Sequence, residues 1–492
     1  MEDLKQRTIR GGLSRISAQG AGFALRLGAL MILARLLDPR DFGLVGMVTA
    51  FTGILELFRD FGLSAAAVQQ ATVTEEQVST LFWINILVGV LLGLVALLLA
   101  PAIADFYREP RLSAVTAVLS LGFVLNAAGV QHSVHLQRQM RFTALAVINT
   151  LSLLVGTCIG ISGALVGYGY WALVAMTVSQ PLTITICLWM VSGWIPGRPH
   201  RGVGLRPMMR FGGTITLNGL VVYIASNFEK VLLGRYWGAD AIGIYGRAYQ
   251  LIRIPTDNLN SACGDVAFSA LSRIQGDHSR VRNYFLKGYS LVLAMTIPLT
   301  VACALFADDA IHVLLGPKWK EAGPIFRYLA PTILVFATAN PLAWLLSSLG
   351  KVARLLKMAL TIAPLMILGY FVGLPYGPKG VAIAYSVVMT LWLFPLIVWA
   401  VHGTMVSIRD VLSTIARPFV SSVAAGLAAL AVRMAYGQFF SPLLRLILES
   451  SILLIVFVLL LLFVAGQKSF YLDLLRSLRE SPQVKEKSLA SA

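Results

Sequence analysis

Runs of about 20 apolar residues recur along the chain between short polar stretches, and each run is long enough to cross a bilayer core as an α-helix. Such windows fall at residues 12–36, 42–69, 78–104, 112–135, 142–164 and 169–192. After a basic connector they resume at 211–233, 241–269, 284–307, 324–348, 355–375, 380–401, 412–435 and 445–466. The pattern predicts an all-α, polytopic membrane protein of about 14 transmembrane helices. It divides the chain into a first lobe at 1–195, a basic connector at 196–210, a second lobe at 211–402, two further spans at 403–466 and a tail at 467–492. The tail mixes Phe470, Tyr471, Leu474 and Leu475 with basic residues, as a helix lying along the inner membrane surface does.

Composition agrees. Of 492 residues 57% are hydrophobic and 13% charged, outside the range of soluble domains, and no polar stretch is long enough for a separate domain. The first apolar run is too long for a signal-peptide core, so the first span is expected to stay attached. Every second connector is basic: Lys5, Arg7 and Arg10; Arg138 and Arg141; Arg198, Arg201, Arg206 and Arg210; Arg273, Arg280 and Arg282; Lys351, Arg354 and Lys357. Basic short loops are held on the cytoplasmic side, so both termini are expected there, despite one acidic connector, ATVTEEQ. The opposite loops set bases beside acids: Arg40 between Asp38 and Asp41, Arg108 and Arg111 around Glu109, Lys318 and Lys320 after Asp308 and Asp309. The net charge of +17 then answers to anionic membrane lipids, and nucleic acid is not an expected partner. Cys158, Cys187, Cys263 and Cys303 stand singly without ligand spacing, as small buried hydrophobes do, so neither a disulfide nor a metal is expected.

An internal repeat is visible. LARLLDPRDFGLVG from Leu33 aligns with LGRYWGADAIGIYG from Leu233 at an offset of 200, pairing Arg35 with Arg235, Gly43 with Gly243 and Gly46 with Gly246. Upstream, Arg10 and Gly12 align with Arg210 and Gly212. The two copies are separated by six spans, so they cross in the same direction. Two parallel, pseudo-symmetric lobes around a central cavity are a recurrent transporter layout.

Charged residues are placed to match. A charge facing lipid costs roughly 2.5–3.5 kcal/mol on insertion scales, so such residues normally face a cavity or a partner. Arg15, Gln19, Gly22 and Arg26 form one helical stripe, and Thr49, Thr52, Gly53, Glu56, Arg59 and Asp60 form another. In the second half Asn227 and Lys230 lie one turn apart beside Glu229, and Arg247, Gln250, Arg253 and Asp257 share a face near Pro255. The last four windows carry little charge beyond Arg433. The stripes make Arg15, Arg26, Arg59, Lys230, Arg247 and Arg253 candidate cavity cations. Glu56, Asp60, Glu229 and Asp257 are candidate charge-balancing acids. Two plainer readings stay open: Arg15, Arg35 and Arg235 lie where a long side chain also reaches the headgroups, and the acid–base neighbours also suit structural pairs. His132 and His135, beside a cytoplasmic loop, fit ordinary interfacial positions better than a proton relay.

The segments LARLLDPRDFGLVGM, ELFRDFGLSAAAVQQ, YGRAYQLIRIPTDNLN, FSALSRIQGD and LLGPKWKEAGPIFRYLAP together resemble the Wzx-type polysaccharide flippases of the MOP exporter superfamily, in their WzxC-like branch. The resemblance runs from about Lys5 to about residue 410. It implies a bacterial inner-membrane protein that moves an undecaprenyl-pyrophosphate-linked oligosaccharide repeat unit between leaflets for exopolysaccharide or lipopolysaccharide biosynthesis, alongside polymerase and export components. It implies no catalytic residue and no cofactor, and leaves open coupling to a proton or sodium gradient through one of the acids. Arginines suit a pyrophosphate through charge-assisted, bidentate hydrogen bonds. Their prominence weighs against a drug/cation antiporter of the same superfamily; a lipid II flippase is the nearer alternative. A membrane-embedded polymerase or glycosyltransferase would want an extracytoplasmic domain for which the chain has no room.

Overall fold

Hydrocarbon offers no water to satisfy backbone groups, so an apolar chain crossing it closes its hydrogen bonds within each segment, as helices. The computed structural model describes residues 22–59, 74–200, 206–436, 439–464 and 466–468, and no strand occurs among them. The helices are α1 (22–36), α2 (Pro39–Arg59), α3 (Glu75–Tyr107), α4 (Arg111–Arg138), α5 (Phe142–Leu165) and α6 (Tyr170–Ser192). A helical run Arg206–Arg273 is broken at Gly238, whose φ of 81° and ψ of −173° favour glycine, giving α7 (206–237) and α8 (239–273). Then follow α9 (His278–Leu305), α10 (Ala307–Leu314), α11 (Ala322–Leu329), α12 (Pro331–Ser348), α13 (Val352–Gly373), α14 (Gly377–Val401), α15 (Ile408–Tyr436) and α16 (Pro442–Leu459). Among the described residues ten stretches are long and apolar enough to cross a membrane, one of them, Val352–Val401, holding both α13 and α14. The chain is therefore a multi-pass, all-α membrane protein. The run Arg206–Arg273 is outside those ten, and it is the run that carries Glu229, Lys230, Arg247, Arg253 and Asp257. The expected surface helix of the tail lies outside the described residues.

The chain forms two compact units. The first comprises residues 1–247, 314–320 and 359–384. Within it α3 packs on α4, α4 and α5 pack on α6, and α2 lies against α3, α4 and α6. Close approach is permitted by small residues: along α5, Gly156, Gly160 and Gly163 lie against Gln180, Met176 and Ala172 of α6. Connectors expected on one side of the membrane meet one another. Lys318 pairs with Asp38 at 2.8 Å and Arg40 with Glu109 at 2.9 Å. On the other side the Gly197 N–H donates to Ser79 Oγ at 3.0 Å and Arg141 donates to the Val191 carbonyl at 3.2 Å.

The sequence repeat reappears here as a reciprocal contact. A Cβ on Gly43 would overlap the Ala239 carbonyl, and a Cβ on Gly243 would overlap the Pro39 carbonyl. Residues 39 and 43 stand exactly 200 positions before 239 and 243. Two equivalent helix starts thus each use a glycine to let the other's backbone in, the geometry of a two-fold axis between repeats. The break at Gly238 likewise matches the turn at Asp38.

The second unit comprises residues 248–313, 321–358 and 385–492. Here α9 packs against α12, α15 and α16, with Phe306, Ala425, Ala429, Leu453, Phe457 and Leu461 forming a buried cluster. Arg282 grips Asp410 through two hydrogen bonds of 2.9 and 2.5 Å, and Arg354 donates to the His402 carbonyl at 2.6 Å.

Three expectations are corrected. The last windows hold more charge than Arg433: Arg433 pairs with Asp309 at 3.2 Å and reaches Glu449 at 3.7 Å, and Arg445 also pairs with Asp309. Two cations and two acids meet there, which offsets the burial of Asp309 and Glu449 and ties α10 to α15 and α16. Second, His132, expected as an ordinary polar residue beside a loop, is fully buried in protein, stacked on Trp189 at 4.4 Å between ring centroids. Third, Cys158 is exposed, not buried; Cys158, Cys187 and Cys303 are all free thiols.

Candidate functional site

In the first unit the polar stripe of α2 meets α7. Tyr223 of α7 lies over Gly53, where any Cβ would strike its phenol, and its hydroxyl donates to the Thr49 carbonyl at 3.0 Å. Thr49 and Thr52 turn their hydroxyls back to the α2 backbone, as threonines in spanning helices do. Further along α2, Glu56 and Arg59 pair with each other, one turn apart and both partly open. On α7 the Asn227 side chain donates to the Tyr223 carbonyl at 3.0 Å and accepts from Lys230 Nζ at 2.7 Å. Tyr223 is the cross-helix contact of this polar seam, with the Glu56–Arg59 pair lying along α2 and the Asn227–Lys230 pair along α7.

The other candidates in this unit stand apart from that seam. Arg26 is exposed on α1, with no hydrogen-bond or ion-pair partner among the described residues. Arg247 lays its guanidinium over the Phe42 ring at 4.3 Å. Phe42 is 14 residues before Glu56, roughly 21 Å along the helix axis, so Arg247 belongs with the helix starts near Gly43 and Gly243. Glu229 is 1% exposed, with no hydrogen bond to either carboxylate oxygen among the described residues. It faces packed protein where its neighbour Lys230 faces the seam. Arg15 and Asp60 lie outside the described residues.

In the second unit Arg253 pairs with Asp257 one turn along α8 at 2.9 Å and rests on the Phe336 ring of α12 at 4.5 Å. Both charged groups remain partly exposed, 34% for Arg253 and 55% for Asp257. A guanidinium backed by an aromatic face and only half neutralised keeps donors free for an oxyanion. Their shared helix face was legible from spacing. Phe336 was not, and neither was Tyr223: each is a single aromatic in an apolar run, with no periodic signal.

Partly exposed guanidinium and ammonium groups are of the chemical kind that binds anions; no cluster of three or more metal-ligating side chains occurs among the described residues.

Known proteins fit this picture. The chain is 25% identical over 431 residues to the lipopolysaccharide biosynthesis protein WzxC of Escherichia coli strain K12, covering 85% of each chain. It is 27% identical over 357 residues to the succinoglycan biosynthesis transport protein ExoT of Rhizobium meliloti strain 1021, covering 72% of each. Among solved structures, the lipid II flippase MurJ in an inward closed conformation superposes with a TM-score of 0.72 at 15% identity, over 95% of this chain and 100% of that one. A multidrug resistance MATE family transporter of the MOP superfamily, facing inward, gives 0.62 at 14% identity over 79% and 97%. These likenesses place the fold with that of the MOP transporters. Residues 32–324 match the family described as polysaccharide biosynthesis protein, more than half of the sequence, and the chain belongs to that family.

Proposed function

We propose that this chain is a flippase: it carries an undecaprenyl-pyrophosphate-linked oligosaccharide repeat unit across the bacterial inner membrane, by alternating access, for surface polysaccharide biosynthesis. The carrying observation is that helices α1, α2, α7 and α8 hold cations with open faces: Arg26 exposed with no partner among the described residues, and Arg59, Lys230 and Arg253 only partly neutralised. Such placements are costly in lipid and useful to a diphosphate, which cannot cross hydrocarbon alone. Membership in a polysaccharide biosynthesis family and similarity to WzxC and ExoT support an oligosaccharide cargo.

On this reading residues 1–195 and 211–402 act as two lobes, both termini are cytoplasmic, and no covalent bond is made or broken by the protein. Arg26, Arg59, Lys230 and Arg253 contact the cargo. Arg15 and Asp60 join them from segments adjoining α1 and α2. Arg247 acts by holding the helix starts, and Glu56, Glu229 and Asp257 balance charge, one of them coupling transport to a proton or sodium gradient. The delivered unit passes to polymerase and export components.

Deleting the gene tests this. Surface polymer is expected to vanish while a lipid-linked oligosaccharide accumulates in the inner membrane, and a plasmid copy restores both. Normal polymer with no accumulated intermediate would refute the proposal. The fit to MurJ favours one second reading, transport of lipid II; arrest of cell-wall synthesis in the deletion strain would select it.

A further inference from the structure

Between α10 and α11 the chain reads LGPKWKE, from Leu315 to Glu321. Gly316 takes a φ of 97°, which side chains rarely adopt, and Pro317 opens a single 3-10 turn, Pro317–Trp319. The turn carries Trp319 inward, and its side chain is fully buried. A buried indole needs an acceptor for its N–H, and this one donates to the Ala34 carbonyl at 2.7 Å. Ala34 lies in the last turn of α1, where carbonyls lack a partner inside the helix. The Trp319 ring meets Phe42 of α2 edge-on at 5.3 Å, and beside it Lys318 pairs with Asp38 at 2.8 Å. Gly316 completes the seat, since a Cβ there would stand 3.4 Å from Arg35 Cγ.

Residues 314–320 thus belong to the first unit, although the chain on both sides of them, 248–313 and 321–358, belongs to the second. Their flanks are tied within that second unit. Asp309 of α10 pairs with Arg433 of α15 at 3.2 Å and with Arg445 of α16, and Asp308 pairs with Arg327 of α11 at 2.5 Å. A short strap is therefore anchored at both ends by one unit and in its middle by the other. Phe42 bears a second such crossing: Arg247, over its ring at 4.3 Å, is the last residue of the first unit before α8 continues into the second.

Transport by alternating access moves one bundle against the other. A strap of seven residues spans at most about 25 Å even when fully extended, so it has little slack to absorb such a movement. Its grip is of a kind that can be released and re-formed. One indole hydrogen bond, one edge-on ring contact and one half-exposed ion pair hold it, and water can replace the indole on a helix-end carbonyl. We propose that residues 314–320 are a latch: withdrawal of Trp319 from its seat on Ala34 and Phe42 is an obligatory step of each transport cycle, on the side expected to be extracytoplasmic. The proposal rests on the flippase reading and adds to it the element that gates delivery.

The test uses the full-length chain, with Cys158, Cys187, Cys263 and Cys303 replaced by alanine, and liposomes holding an undecaprenyl-pyrophosphate-linked oligosaccharide. Asp38→Cys with Lys318→Cys sets two thiols where the ion pair stands, and with side chains 66% and 47% exposed both positions are open to a reagent. A bifunctional methanethiosulfonate links them in detergent before reconstitution, and a reductant later cuts the link. Arg40→Cys with Glu109→Cys, at a 2.9 Å pair lying wholly within residues 1–247, gives a control link that spares the strap. Linking Asp38→Cys to Lys318→Cys is expected to lower flipping to the protein-free rate, and reduction to restore it, while the control link leaves the rate unchanged. Rescue by reduction separates the block from a folding defect. Undiminished flipping through the Asp38→Cys–Lys318→Cys link would overturn the latch and leave the flippase reading intact, as would an equal block by the control link. No flipping by the unlinked chain would remove both.

Discussion

Gly243→Ala is expected to destabilise the protein strongly, whereas Gly246→Ala, three residues on, is expected to be harmless. The added methyl at Gly243 runs into the Pro39 carbonyl, a backbone atom that cannot rotate aside, while at Gly246 nothing lies within 4 Å. Overpacking typically costs about 1–3 kcal/mol, and the upper end applies where the obstacle is main chain. Relieving it would separate the starts of α2 and α8. Gly246→Ala should instead gain about 0.5–1 kcal/mol, because alanine loses less backbone freedom in a helix. Melting temperatures of the purified variants in detergent measure both. Gly43→Ala should behave like Gly243→Ala, since its obstacle is the equivalent Ala239 carbonyl. Tolerance of alanine at either position would contradict the reciprocal contact.

The second large effect concerns Arg253. Arg253→Gln is expected to leave the protein in the membrane at normal abundance and to cut polymer export about 10–100-fold, the equivalent of one charged hydrogen bond of roughly 1.5–3 kcal/mol. Arg253→Lys should recover only part of this, because an ammonium keeps the charge but loses the flat fork that rests on Phe336 and grips two oxygens. Asp257→Asn should be the mildest of the three, since it removes the competitor for the guanidinium and keeps the cation. Arg26→Gln belongs with Arg253→Gln, as its side chain has no structural pair to lose among the described residues. Surface polymer and immunoblotted membrane fractions are the readouts. Wild-type export from both arginine variants would remove these residues from the transport path.

Much of the architecture could be read from residue order because the bilayer imposes it. Apolar length fixes the spans, and the identical spacing of Gly43 and Gly243 within the two copies pointed to a repeat that the reciprocal packing then displays. Helical spacing also put Arg253 and Asp257 on one face, and they pair. What spacing withholds is the partner across space. In a helix that is apolar all round, periodicity does not say which face is packed. Glu229 and Lys230 are neighbours in sequence, yet one is buried with no hydrogen bond among the described residues and the other joins Asn227. Arg247 has the same stripe position as Arg253 but finds Phe42, over 200 residues earlier. The neutral group of Asp309, Arg433, Arg445 and Glu449 draws on three helices, and only the four-residue interval from Arg445 to Glu449 hinted at it.

The account stands most directly on movement of the cargo between leaflets. The purified chain would be reconstituted into liposomes holding an undecaprenyl-pyrophosphate-linked oligosaccharide, and the fraction exposed to an added, membrane-impermeant glycosidase followed with time. The prediction is that protein exposes the inner-leaflet pool well beyond the outer half, and that Arg253→Gln slows this. Exposure that stops at the outer leaflet, as in protein-free liposomes, would contradict it.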